Sequence, residues 1–238
     1  MIQTSELPGS GELHFSIGHR FGDIKGGFYD MFGLDLATIR LGFDYGINDF
    51  LSAGIGRSSF EKSYDIYTKL AIVRQSESGS PLAVTANAAW SVNTLRNFYP
   101  ADRSGITDRS AMLLQIMVAR KQGTFSAQIA PSLLRNNYET RTGGNVTVFA
   151  TPITANMKLS KRLSLAANYI PVFNQPSFFV SNPLSVGLDI DTGGHQFQLI
   201  FSNSTGMFEK AVLLNTAGDW SDGNIYFGFN LVRVFYLK

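Results

Sequence analysis

The chain has no cysteine among its 238 residues, which excludes disulfides and thiolate metal sites and leaves nothing to misoxidise in an oxidising compartment. It also has no long apolar run. The longest strongly apolar, uncharged stretch, Ala111 to Ala119, is far short of the roughly 20 residues a membrane helix needs, so only a closed barrel could take this chain across a bilayer. Charge is sparse and unsorted. Lys and Arg number 20 against 18 Asp and Glu, giving +2 with no block of one sign, so nothing suggests a nucleic-acid partner. His14, His19 and His195 are scattered and have no partner at ligand spacing, and no residue set calls for a metal or another cofactor. Met1 to Glu12 has no basic region followed by an apolar core, so the chain reads as mature or re-started and export must be inferred from elsewhere.

What is abundant points to β structure. Aromatics reach 13%, with 19 Phe and 9 Tyr, and 23 Gly supply turns. From Leu36 to Ile47, Ala37, Ile39, Leu41, Phe43, Tyr45 and Ile47 alternate with Thr38, Arg40, Gly42, Asp44 and Gly46. Successive strand residues point to opposite faces, so one face is apolar and the other carries charge. The same period recurs over 13–21, 51–55, 65–72, 84–93, 112–118, 125–133, 149–159, 163–169, 184–191, 197–202 and 225–235, which makes twelve strands.

An even count closes an antiparallel barrel with both chain ends on one side. Connections from odd to even strands are mostly long: Gly22 to Asp35, Arg96 to Asp108, Asn136 to Gly144, Asn174 to Pro183 and Asn203 to Gly223. Those from even to odd are short: Asn48-Asp49, Ser76 to Ser80, Gln122 to Thr124, Lys161-Arg162 and Thr192 to Gly194. Only Glu61-Lys62, between strands three and four, dissents. A soluble sandwich could also have twelve strands, but its outward faces should be polar and its loops need not sort by side. The expectation is therefore one domain over 1–238, a transmembrane antiparallel up-and-down β-barrel in a Gram-negative outer membrane, with residues 1–11 as a short periplasmic lead-in.

On that register Arg20, Arg40, Asp44, Asp65, Lys69, Gln115, Gln128, Asn156, Asp189, Asp191, Gln196, Gln198 and Asn230 line the lumen. Ile39, Leu41, Phe43, Leu114, Ile116, Leu188, Phe197, Leu199, Phe227 and Phe229 face lipid, and Tyr45, Trp90, Tyr169, Phe21, Phe227 and Phe235 suit interfacial girdles. Arg40 and Asp44 lie four apart on one face, where Arg20 from the preceding strand could join them. Asp189 and Asp191 share a face and could hold a cation, although a solvated or salt-bridged pair is the commoner arrangement. Gly193-Gly194 and Gly143-Gly144 read as turns, because no helix follows to present amides to a phosphate.

Several segments resemble an uncharacterised family of Bacteroidota outer-membrane β-barrel proteins, catalogued as a domain of unknown function. They are His19-Arg20-Phe21-Gly22, Gly33 to Gly42, Gly54 to Lys62, Asp189 to His195 and Gly218-Asp219-Trp220, within a similarity running from about Glu12 to Phe235. The resemblance implies an outer-membrane barrel and carries no catalytic residues.

The polar lumen fits a narrow channel or transporter for small solutes. The same charges would suit a filled, non-conducting barrel that serves as a structural or interaction component of an outer-membrane complex, because twelve strands fall between filled eight-stranded barrels and open porins. A lipid hydrolase stands third: His19 and Ser59 fall on outward positions, a strand apart and without an acidic partner. The partners expected are outer-membrane lipid, the barrel-assembly machinery and small solutes. The loop Met207 to Asp222, partly apolar with Phe208, Val212, Leu213 and Leu214, is expected to fold into the mouth or dock a partner. Val234 to Leu237 resemble the aromatic C-terminal assembly signal, from which the terminal Lys238 departs.

Overall fold

A computed structural model describes residues 3–237; Met1, Ile2 and Lys238, with its departure from the assembly signal, lie outside them. Alternating sequence becomes strand throughout: β1 (Glu12–Asp23), β2 (Ala37–Asn48), β3 (Leu51–Ser58), β4 (Tyr64–Val73), β5 (Ala83–Val92), β6 (Ser110–Gln122), β7 (Phe125–Ile129), β8 (Ser132–Glu139), β9 (Gly144–Ala150), β10 (Ile153–Lys158), β11 (Leu163–Tyr169), β12 (Leu184–Asp191), β13 (His195–Ser202) and β14 (Tyr226–Tyr236). All join one antiparallel sheet in which β1 pairs with β14 and β5 with β6, so the sheet closes on itself.

Fourteen segments make twelve staves. β7 and β8 both pair with β6 and are halves of one stave broken at Ala130-Pro131, while β9 and β10 are halves of the next, broken at Thr151-Pro152. Proline has no N–H to give a ladder, so each break falls where one would be missing. The Ala130 amide still donates to the Pro152 carbonyl at 2.9 Å, which carries the pairing across both breaks.

The side-chain alternation follows the expected faces. On β6, Met112, Leu114 and Ile116 are 54%, 56% and 44% exposed on the outer surface, whereas Leu113, Gln115 and Met117 are buried inside. β1 begins and β14 ends at one end of the barrel. At the opposite end, loops 24–36, 93–109, 170–183 and 203–225 are long, and 59–63 and 140–143 are short. The expected long connection Asn136 to Gly144 is thus a four-residue turn. Its polar residues read as loop, but Asn136 lies on β8 with its amide bonded to Glu139 at 3.2 Å.

Candidate functional site: the barrel lumen

Two segments enter the lumen, one from each end. The loop after β13 turns inward and forms α1 (Glu209–Leu214), every residue of which is buried. Val212, Leu213 and Leu214 pack on Ala111 and Leu113 of β6, Leu134 of β8, Val148 and Ala150 of β9, and Ile170 and Val172. From Ala111 to Leu114, β6 is therefore apolar on both faces. Two latches reinforce this packing, and both come from the short turns. Glu61, held at positive φ in the 59–63 turn, accepts from Lys210 Nζ at 2.9 Å. Arg141, in the 140–143 turn, donates to the Leu214 carbonyl at 3.3 Å and to Asn215 Oδ1 at 2.8 Å at the C-terminus of α1, where a cation complements the free carbonyls.

The other insert corrects an expectation. Residues 3–8 of the proposed periplasmic lead-in lie inside the barrel, where polar wall residues bind their backbone. Thr85 Oγ1 donates to the Ser5 carbonyl at 2.9 Å, Lys69 Nζ to the Glu6 carbonyl at 2.8 Å, and Gln128 Nε2 to the Gln3 carbonyl at 3.1 Å. The two inserts meet where Gln3 and Glu209 line the same chamber. Glu209 is buried, and burial, with Asp65 opposite, raises its pKa despite Arg40.

Between the inserts lies a polar chamber of about 340 Å³, lined by Glu6, Arg20, Arg40, Asp44, Tyr67, Lys69, Glu209 and Asn230 among others. Two pairs cross its wall. Arg40 on β2 reaches over β3 to Asp65 on β4, donating through Nε at 3.2 Å and through Nη2, and Tyr67 Oη on β4 donates back over β3 to Asp44 at 2.5 Å. Any β3 side chain would block these crossings; a Cβ on Gly56 would strike the Arg40 guanidinium and one on Gly54 the Tyr67 ring. A belt of side-chain bonds continues along the adjoining wall, from β1 through β14, β13 and β12 to β10. Arg20 Nη1 donates to Asn230 Oδ1 (3.0 Å), Asn230 to Gln198 (2.7 Å), Gln198 to Asp189 (2.6 Å), and Asn156 to Asp189 (3.2 Å). Such buried polar chains fix geometry because a lost partner leaves a desolvated group.

Residues 1–235 match the family described as a membrane bound beta barrel domain, DUF5777. The chain belongs to this family. No curated protein matches it. Among solved structures, NanC porin aligns with TM-score 0.60 at 9% identity, covering 95% of this chain and 100% of that one. KdgM porin in complex with disordered oligogalacturonate aligns at 0.53 and 6%, covering 95% and 99%. Identities this low show the fold alone, a closed twelve-stranded antiparallel barrel that is porin-like.

Within this membrane barrel the structure brings together most, but not all, of the residues expected in the lumen. Arg20, Arg40, Asp44, Lys69, Gln196 and Asn230 border the chamber. Asp65, Gln128, Asn156, Asp189 and Gln198 bond to its lining or continue the belt, and Gln115 joins Asn87 (3.3 Å) and Ser132 (2.8 Å) in a separate inner ladder. Arg40 does not pair with Asp44, and Arg20 joins neither; the partners lie two strands away because β3 is bare between them. Asp189 and Asp191 also separate. Asp191 accepts from the Gly193 amide at 2.7 Å in the turn at the termini end, and among the described residues no three potential ligands converge as a metal site.

The apolar set Ile39, Leu41, Phe43, Leu114, Ile116, Phe197 and Leu199 is outward and exposed, while Leu188, Phe227 and Phe229 are outward and half-buried. Phe227 stacks on Phe21 at 5.7 Å and Phe229 on His19 at 5.3 Å, which covers part of each ring. His19 makes that stack and Ser59 Oγ accepts from the Ile39 amide at 2.9 Å, so neither engages the other. Sequence reasoning missed Tyr67 as a site residue, although Asp65-x-Tyr67-x-Lys69 places it inward. Nothing local marks Glu209 or Ser5.

Proposed function

We propose that this protein is a gated small-solute channel of a bacterial outer membrane, with its termini in the periplasm, its outward apolar set against lipid and its long loops at the cell surface. The observation that carries this reading is the central chamber. Side chains of both signs line it, and a chain segment enters it from each end, residues 3–8 from one and the start of α1 from the other. The porin-like fold supports it.

The two inserts differ in how firmly they are held. Burying Val212, Leu213 and Leu214 contributes about 1.5–3 kcal/mol each, so α1 is a lasting constriction. The N-terminal insert rests mainly on hydrogen bonds to its backbone, each worth about 1 kcal/mol, and is the part suited to move. The apolar seat of α1 favours one other reading, a non-conducting barrel that acts as an interaction component. Planar-bilayer recording of the full chain and of a chain lacking residues 2–8 separates them. A channel gives discrete steps that grow after the deletion. Silence from both, with correct insertion, overturns the channel.

A further inference from the structure

The seat of the N-terminal insert is built to read peptide backbone. Every hydrogen bond that the wall gives to Ser5 and Glu6 ends on a peptide group. Gln128 is the clearest case. Its Oε1 accepts the Ser5 amide at 2.7 Å while its Nε2 donates to the Gln3 carbonyl at 3.1 Å, so one side-chain amide takes the N–H and C=O that flank Thr4. A residue on a neighbouring parallel strand pairs in the same way. Gln128, Thr85 and Lys69 come from three strands, are 7%, 1% and 4% exposed, and their side chains have no other hydrogen-bond partner among the described residues. The wall is also cut back for the segment: a Cβ on Gly46 would collide with the backbone of Pro8 and Gly9.

We infer that the termini-side half of the lumen is a binding site for peptide backbone, filled in cis by residues 3–8, and that short peptides are among the solutes that compete for it. The inference names a substrate class for the channel read above, and its test keeps the two apart. Because the bonds to Ser5 and Glu6 and both bonds of Gln128 end on N–H and C=O groups, the side chains at positions 4–6 should matter little. A tethered segment needs only weak intrinsic affinity, since a short tether supplies an effective concentration in the millimolar range.

The experiment uses the chain lacking residues 2–8 and a capped, dye-labelled synthetic peptide of residues 3–8, read by fluorescence anisotropy in detergent and by conductance in bilayers. A scrambled peptide and maltotriose serve as comparisons. Both peptides should bind with dissociation constants on the order of millimolar and halve the conductance at similar concentrations. Gln128→Leu should weaken both about tenfold, the full chain should bind at least about tenfold more weakly, and maltotriose should not compete. Absence of peptide binding at about ten times that concentration, or equal competition by maltotriose, overturns the site. Peptide binding without conductance keeps the site and removes the channel, and conductance without peptide binding does the reverse. If the trimmed chain does not insert, Gly46→Leu in the full chain, whose side chain displaces Pro8-Gly9, releases the segment for the same titration.

Discussion

At the residue scale the lumen is organised as much by missing side chains as by charged ones. Gly54 and Gly56 leave the inner face of β3 bare, so Arg40 meets Asp65 and Asp44 meets Tyr67 across a whole strand. Adjacent-strand charge pairs at a wet surface contribute only a fraction of a kcal/mol, but this pair is buried. Gly56→Leu should push the Arg40 guanidinium off Asp65 and leave both charges buried and unpaired, at a cost of about 3 kcal/mol read from the urea midpoint of unfolding in vesicles. A midpoint unchanged from wild type would mean the crossing pair does not hold the wall. The glycines were visible in the sequence as small residues on one face, but what they make room for was not.

At the element scale α1 explains why two connections at the loop end are short. The 59–63 and 140–143 turns supply Glu61 and Arg141, which clasp the helix from two sides. Docking also buries Glu209 against Asp65, with Arg40, Lys69 and Gln3 around it. A carboxyl whose pKa is raised by docking holds its proton more tightly docked than free. Docking is therefore favoured below the free value near 4.5 and weakens by about 1.4 kcal/mol per unit as pH climbs from there to the docked value. Hydrogen-exchange protection of residues 208–215, corrected for intrinsic rates, should fall over that window, and Glu209→Gln should flatten the profile. An identical profile in the variant would remove Glu209 as the titrating group.

At the scale of the whole molecule the barrel divides its strands between an apolar outside and a polar or α1-covered inside. Leu41→Arg places a charge on the outer face near mid-strand and should cost about 2–4 kcal/mol of folding free energy in vesicles, whereas Gln196→Arg at the chamber rim should stay within about 0.5 kcal/mol. Heat-modifiable mobility on gels reads both, and equal tolerance would refute the assigned faces. The twelve staves and which face of each points outward were legible because strand alternation is local: the pleat turns every second residue outward whatever the rest of the chain does. The run Ala111 to Ala119 was legible as apolar, but the reason, α1 packed against its inner face, lies about a hundred residues away. In the same way residues 3–8 look like a free lead-in because their backbone is what binds, and a backbone leaves no mark in sequence. The sequence by itself determined a twelve-stranded barrel with one apolar and one polar face, since that follows from a period of two. Which inward groups meet, and that a segment enters the lumen from each end, came from the tertiary structure alone, since those contacts join segments distant in the chain through the space the closed sheet encloses.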